Sequence, residues 1–223
     1  MSRVKICGIN DPAGCEAALA AGADWLGFVF FPPSPRAVTP ALAAMLAEHV
    51  PARVGLFVHP TDDAVAAVLT AMRLDVLQVY DGPERCAALR TRFGIPVWRA
   101  VGVASPADLP ATTDNIDGFV IEAKAPEGSR QPGGNATSFD WSILRGWHAP
   151  LPWMLAGGLT PDNVAAAIHA TGAPAVDVSS GVEREKGVKS PALVRAFIAA
   201  AKSCRGVAPH PTRGFAPGPH QGA

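Results

Sequence analysis

The chain lacks several features that would place it in a specialised class. It contains no uninterrupted apolar run of about 18 residues, the length that predicts a membrane-spanning helix. Its formal net charge is +0, which removes any broad electrostatic attraction to nucleic acid or to a membrane surface. The N-terminal residues show no three-part signal-peptide pattern. We therefore expect a cytoplasmic globular protein that binds neither nucleic acid nor membrane.

Cysteine and histidine are too sparse and too scattered to predict a disulfide framework or a metal site. The four cysteines are Cys7, Cys15, Cys86 and Cys204, and no two of them form a C-x-x-C pair. The six histidines do not cluster in a metal-binding motif. No metal is expected. Residues 204–223 are rich in proline, glycine and histidine, a composition typical of a disordered tail.

Short apolar segments alternate with helical patterns along residues 1–203. Each apolar segment is nearly continuous, as expected for parallel strands that are buried on both faces. The predicted strands are residues 4–7, 25–30, 53–58, 76–79, 97–101, 118–122, 153–156 and 175–178. The predicted helices are residues 12–21, 40–48, 62–72, 83–92, 106–109, 140–144, 161–170 and 191–201.

Four of these helices are predicted to begin with a capping residue followed by proline. Such a pair suits a helix start, because proline at the first helical position loses no hydrogen bond. The four pairs are Asp11-Pro12, Thr39-Pro40, Thr160-Pro161 and Ser190-Pro191.

Eight strands alternating with eight helices predict an α/β fold, a single-domain (β/α)₈ TIM barrel over residues 1–203. An open, doubly wound sheet is the alternative, but the turn after the first strand is not the G-x-G-x-x-G that such sheets often carry. Residues 123–138 form a long glycine-containing connection after the sixth strand. That loop is a candidate lid over an active site.

Two loops near the C-terminal end of the barrel predict a phosphate site. Gly157 and Gly158 follow the seventh strand, and Ser180 and Gly181 follow the eighth. Small residues expose backbone N–H groups, and barrels often bind phosphate with these two loops. The alternative is a pair of tight turns that need glycine for their backbone angles.

Cys7 stands at the tip of the first strand, where barrels place their chemistry. Alone it is more typical of a packed, inert thiol. Lys5 is on the same face of the strand, because side chains alternate. A nearby cation would lower the pKa of Cys7 from about 8.5. Asp177, on the neighbouring eighth strand, is the candidate partner for Lys5.

Two further charged residues are candidates for the same face. Glu122 ends the sixth strand and becomes a general acid if burial raises its pKa; otherwise it is a solvated charge. Arg36 follows a loop stiffened by three prolines, and its guanidinium suits a substrate carboxylate. The alternative for Arg36 is an ordinary surface arginine.

These pieces together resemble the phosphoribosylanthranilate isomerase family of tryptophan biosynthesis. Matching motifs occur in family order, among them Lys5-Ile6-Cys7-Gly8-Ile9, Ser34-Pro35-Arg36 and Val176-Asp177-Val178-Ser179-Ser180-Gly181-Val182-Glu183. The others lie at residues 22–30, 54–58, 74–78, 139–141 and 155–159.

The resemblance implies a cofactor-free Amadori rearrangement of a small phosphorylated substrate, an aldose–ketose isomerisation. It assigns Cys7 as general base, Glu122 as general acid and Arg36 as the holder of the anthranilate carboxylate. The two glycine-containing loops would hold the phosphate. We count four more residues as substrate-binding: Lys5, Gln78, Tyr80 and Asp177. A monomer or a homodimer is expected.

The chain departs from the family pattern at three places on the predicted catalytic face. Glu122 stands where the family usually has Asp, Tyr80 where it usually has His, and the loop before Phe139 lacks the usual Gly-Thr-Gly. Two alternatives therefore remain open. One is a related sugar-phosphate isomerase with an altered substrate, and the other is a non-catalytic paralogue that binds a phosphorylated ligand.

Overall fold

Eight parallel strands close into a barrel in the order in which they occur along the chain. A computed structural model describes residues 1–50, 52–126, 128, 133 and 139–204. The strands are β1 (Arg3–Cys7), β2 (Trp25–Val29), β3 (Arg53–Val58), β4 (Val76–Tyr80), β5 (Val97–Val103), β6 (Gly118–Ala123), β7 (Trp153–Leu155) and β8 (Ala175–Val178). The predicted barrel is confirmed, and all eight predicted strands are present within two residues of their predicted ends.

Helices cover the outside of the barrel between successive strands. They are α1 (Pro12–Ala20), α2 (Pro40–Leu46), α3 (Asp62–Ala71), α4 (Pro83–Phe93), α5 (Val164–Thr171) and α6 (Pro191–Ser203). Three of the four predicted caps are confirmed: Asp11, Thr39 and Ser190 each accept a backbone N–H from the first helical turn. Each such cap stabilises its helix by about 1 kcal/mol. In the part of the chain that the structure describes, no helix is both long enough and apolar enough to cross a bilayer.

Three predicted helices differ from the structure. The segments at 106–109 and 140–144 form only short 3₁₀ helices, Pro106–Asp108 and Trp141–Leu144. The helix predicted from Pro161 begins at Val164, so the cap predicted at Thr160 is wrong. Asn163 accounts for the later start of the helix, because its side chain accepts from the Thr160 N–H at 2.8 Å and donates to the Gly158 carbonyl at 2.9 Å. This side chain satisfies loop groups that a helix would leave unpaired.

A short hairpin that the sequence did not predict follows β8. A 3₁₀ helix, Ser180–Val182, leads into β9 (Glu183–Glu185), which pairs antiparallel with β10 (Val188–Lys189). Strands of three and two residues are too short for an alternating pattern to be visible. This hairpin places Glu183 and Lys189 beside Arg36 at the mouth of the barrel.

The barrel interior is apolar at its lower end and polar at its upper end. Its floor contains Trp25 and Trp98, whose rings meet edge to face with centroids 5.4 Å apart. Above them lie buried polar side chains, Lys5, Glu122 and Asp177. Burying polar groups is costly unless they are paired, so their concentration at one end indicates a site.

Two predicted segments lie largely outside the described residues. Of the candidate lid at 123–138, only residues 123–126, 128 and 133 are described, and of the predicted tail at 204–223, only Cys204. Both therefore stay predictions.

Candidate active site

A cavity opens at the C-terminal ends of the barrel strands, the end at which barrels carry their active sites. It encloses about 660 Å³ of empty space, counting its open mouth, which is in the range of small-molecule sites. Its lining includes Cys7, Arg36, Tyr80, Glu122 and Asp177, which the sequence predicted at the site. Strands distant in sequence therefore bring the predicted groups together.

Cys7, Lys5 and Asp177 form a buried group at the base of the cavity. Lys5 Nζ donates to Asp177 Oδ1 at 3.0 Å, as expected from the sequence. Lys5 is fully buried. Burial alone would lower its pKa, but Asp177 and Cys7 outweigh that effect and raise it. Lys5 is therefore a cation at neutral pH, hydrogen-bonded to both neighbours.

Lys5 lowers the pKa of Cys7 as expected, but burial outweighs this effect. Cys7 is only 4% exposed, and burial raises the pKa of its thiol above the ordinary 9.0. Lys5 and Lys189 lower the pKa but do not cancel the effect of burial. The sequence shows that a lysine shares the face of Cys7, but it does not show how completely water is excluded. Cys7 is mainly a thiol at neutral pH.

Glu122 is a buried carboxylic acid in the cavity wall. It is 4% exposed, so the alternative of a solvated charge is wrong. Burial raises its pKa to about 8, although a hydrogen bond with Tyr80 lowers it in part. Its Oε1 atom has no hydrogen-bond partner in the described part of the chain. The group is thus largely protonated at neutral pH, with one buried oxygen that is unpaired among these residues.

Arg36 is held by an ion pair that the sequence analysis missed. Its Nε and Nη2 donate to Glu183 Oε1 and Oε2 at 2.6 and 2.9 Å. Lys189 Nζ donates to the same Oε1 at 2.9 Å. Burial alone would raise the pKa of Glu183, but Arg36 and Lys189 bring it down to about 2. Arg36 is 5% exposed, so it is not an ordinary surface arginine.

Another part of the cavity wall is built from the two predicted phosphate loops. Gly157, Gly158, Ser180 and Gly181 all line it. Gly157 and Gly158 have φ values of 84° and 63°, which favour glycine because a Cβ would be strained there. A Cβ on Gly181 would overlap the carbonyl of Leu159. The absence of side chains lets the two loops pack together with their backbones toward the cavity.

Replacing Gly181 with alanine is therefore expected to spread these loops and weaken phosphate binding. We expect KM for the phosphorylated substrate to rise about tenfold or more, with a smaller change in kcat, as for a loss of uniform binding. Steady-state kinetics measure both. Gly82→Ala is the matched control, because a Cβ there meets its first atom at an ordinary 3.5 Å. An unchanged KM in folded Gly181→Ala would contradict the phosphate assignment.

Gln78 and Lys5 lie below the cavity instead of in its lining. Gln78 is fully buried, and neither amide atom of its side chain has a hydrogen-bond partner among the described residues. Its predicted contact with a substrate stays a prediction. Within the described ranges, no three His, Cys, Asp or Glu side chains are grouped so that they could hold a metal ion.

Comparisons with known proteins point to one family. The family model described as N-(5'phosphoribosyl)anthranilate (PRA) isomerase matches residues 4–200. A relative from Acidiphilium cryptum, named N-(5'-phosphoribosyl)anthranilate isomerase, is 59% identical over 202 residues, which is 90% of this chain and 98% of that protein.

Solved structures agree. Phosphoribosyl anthranilate isomerase from Thermotoga maritima has a TM-score of 0.79 at 33% identity, covering 91% of this chain and 100% of that one. A phosphoribosyl anthranilate isomerase in complex with reduced 1-(o-carboxyphenylamino)-1-deoxyribulose 5-phosphate has a TM-score of 0.76 at 31% identity, with the same coverage. The chain therefore belongs to the N-(5'-phosphoribosyl)anthranilate isomerase family and is an isomerase.

Proposed function

We propose that the protein converts N-(5-phosphoribosyl)anthranilate to 1-(2-carboxyphenylamino)-1-deoxyribulose 5-phosphate, in tryptophan biosynthesis. The observation that carries this proposal is the pairing of Cys7 and Glu122, a thiol and a protonated carboxylic acid, in one cavity. Family membership and the solved complex of a relative with a reduced product support the choice of substrate.

The two groups divide the chemistry between them. Glu122 donates its proton to the ring oxygen of the furanose while the bond from that oxygen to C1 breaks, which leaves an iminium at C1. The Cys7 thiolate then removes the proton from C2, and the electrons of that bond neutralise the iminium. The resulting enolamine tautomerises to the ketone. No atom is gained or lost overall, so no cofactor is required by this scheme.

Each end of the substrate has a candidate binding group in the cavity lining. Glu183 occupies the Nε side of the Arg36 guanidinium, which leaves Nη1 for the anthranilate carboxylate. Nη1 keeps its N–H donors for that carboxylate, because an arginine carries five N–H donors in all. The backbones of the loops around Gly157 and Gly181 would bind the phosphate. The sugar would then lie between Cys7 and Glu122.

The pH dependence of kcat/KM follows from the two pKa values. The active form needs Cys7 as thiolate and Glu122 as acid, yet the pKa of Glu122 is about 8 and burial raises the pKa of Cys7 above its ordinary value. Below about pH 8 the rate should rise roughly tenfold per pH unit as thiolate forms. Between the two pKa values, further thiolate is offset by loss of the acid, and the rate is level. Above the pKa of Cys7 it falls.

Lys5→Met tests whether the basic-side pKa of kcat/KM belongs to Cys7. Loss of the cation should raise the pKa of Cys7 further and move the basic-side pKa of kcat/KM upward. Because the change leaves Asp177 buried without its partner, Lys5→Met combined with Asp177→Asn serves as the control for folding. A basic-side pKa that does not move in folded Lys5→Met would reject the coupling.

One assay tests the function itself. Freshly made N-(5-phosphoribosyl)anthranilate is mixed with the protein, and turnover is followed as loss of anthranilate-type fluorescence. No turnover by well-folded protein would reject the proposal in favour of an altered substrate or a non-catalytic binding role. Cytoplasmic location, and a monomeric or homodimeric state, stay predictions.

A further inference from the structure

Tyr80 and Glu122 meet in the cavity wall although their strands are not neighbours. β5 lies between β4 and β6 in the barrel. The inner face of β5 carries only Ala100 and Gly102 at this level, and Gly102 is directly opposite Glu122 in the register. No large side chain therefore separates the Tyr80 ring from the Glu122 carboxyl. The Tyr80 hydroxyl and both carboxyl oxygens of Glu122 lie around one point beside Gly133, and the hydroxyl lowers the pKa of Glu122 by hydrogen bonding to the carboxyl.

Gly133 covers this pair from the loop that follows β6. A Cβ on Gly133 would overlap the Tyr80 hydroxyl and would come within 2.6 Å of both Glu122 carboxyl oxygens. Glycine backbone thus fills the space directly above the two groups. Tyr80, Glu122 and Gly133 all line the same cavity, so the contact belongs to the site and not to the outer core.

The other charged groups near Glu122 do not take the place of Tyr80. From β8, Asp177 repels a negative charge on Glu122, and from β1, Lys5 attracts it. Lys5 is already engaged with Asp177 at 3.0 Å. Tyr80 is the neutral donor at the carboxyl, and Oε1 of Glu122 has no hydrogen-bond partner among the residues described. One oxygen is therefore left for the substrate.

We infer that Tyr80 is a positioning residue that holds the Glu122 carboxyl in place, with Oε1 directed to the reacting sugar. The inference rests on the proposed role of Glu122 as general acid. A glutamate has one more rotatable bond than an aspartate, so it needs a fixed partner to keep its acid group in one place. A displacement of about 1 Å can cost roughly 100-fold in rate, which makes such a partner valuable.

The first test does not depend on activity and uses the fact that the chain contains one tyrosine. Protein labelled with ¹³C at the tyrosine ring carbon that bears the hydroxyl should give a single resonance from Tyr80. We expect that resonance to move in one step near pH 8, when Glu122 ionises. The step should be absent in Glu122→Gln.

The remaining groups facing Tyr80 do not obscure this step. Cys7 and Lys5 titrate above this range, and a step that arises from any group other than Glu122 would persist in Glu122→Gln. A resonance that does not move near pH 8, or a step that survives in Glu122→Gln, would overturn the inference.

The second test is the kinetics of Tyr80→Phe, which keeps the ring and removes the hydroxyl. We expect kcat to fall about tenfold, because the acid is less well placed, while KM changes less than about threefold. The acid-side pKa of kcat/KM should rise, because the hydrogen bond that lowers the pKa of Glu122 is lost. A raised KM with an unmoved acid-side pKa would show that Tyr80 only contacts substrate.

The two failures can be told apart. If the wild-type protein does not isomerise N-(5-phosphoribosyl)anthranilate, the proposed function fails, while the tyrosine resonance still reports on the contact with Glu122. If turnover is normal but the resonance has no step near pH 8, the inference about Tyr80 fails alone.

Discussion

Replacing Cys7 with alanine is expected to lower kcat by about 10²- to 10⁴-fold, the usual contribution of a positioned general base. Alanine removes the only cysteine thiol in the lining of the cavity that the structure describes. Arg36 and the loops around Gly157 and Gly181 are unchanged, so KM should change little. The fluorescence assay gives both constants.

The other buried cysteines provide the controls. Cys86 is fully buried on α4 and does not line the cavity, so Cys86→Ala matches the loss of a buried sulfur without touching the site. We expect its kcat to stay within about twofold of the wild type, in contrast to the loss of about 10²-fold or more that follows removal of a general base. A mild effect of Cys7→Ala would mean that another group removes the C2 proton.

Cys7→Ser separates basicity from shape. Serine keeps a side chain of similar size, but its hydroxyl is a far weaker acid than a thiol, so almost no anion forms at neutral pH. We therefore expect Cys7→Ser to be nearly as slow as Cys7→Ala. If Cys7→Ser retains most of the activity, the residue has a packing role and the inert-thiol interpretation of the sequence is right.

The sequence was sufficient for the barrel because parallel strands leave a local pattern. Each strand is buried on both faces and reads as a short apolar run. The shared face of Lys5 and Cys7 follows from side-chain alternation. The pairing of Lys5 with Asp177 could be anticipated because β1 and β8 become neighbours when the barrel closes. These inferences need only strand order and alternation.

The sequence was not sufficient for contacts between distant side chains. Glu183 reaches Arg36 across 147 positions of the chain, from a hairpin too short to be predicted. The departures from the family at Tyr80 and Glu122 look independent in the sequence, yet the two side chains touch across β5. The degree of burial also decided the sign of the pKa shift of Cys7, and burial is a property of the folded packing.

Glu122→Gln is expected to have the other large effect, a fall in kcat of about 10²- to 10⁴-fold. Glutamine has nearly the same shape but no acidic proton, so the ring oxygen would leave without protonation. Glu122→Asp keeps the acid but withdraws it by one methylene, and about 100-fold loss is expected from the displacement. Glu185→Gln, at an exposed carboxylate on β9, is the control.

Glu122→Gln should also become more stable relative to the wild type as pH rises. Glu122 has a folded pKa of about 8 against an ordinary 4.5, so between these values the unfolded chain has lost a proton that the folded chain keeps. The free energy of unfolding of the wild type therefore falls with rising pH in this window. Glutamine has no proton to lose, and the Tm of Glu122→Gln relative to wild type should increase from pH 5 to pH 8.

Comparing the two proteins at each pH isolates Glu122, because the other titrating groups are common to both and a fixed cost of the buried amide cancels. Thermal unfolding measured by circular dichroism is sufficient. A constant difference in Tm from pH 5 to pH 8 would show that Glu122 is not buried as an acid. Its pKa would then not be raised into the range that suits a proton donor at neutral pH. A growing difference together with the fall in kcat would mean that the chain gives up stability at this position to keep a protonated carboxyl at neutral pH.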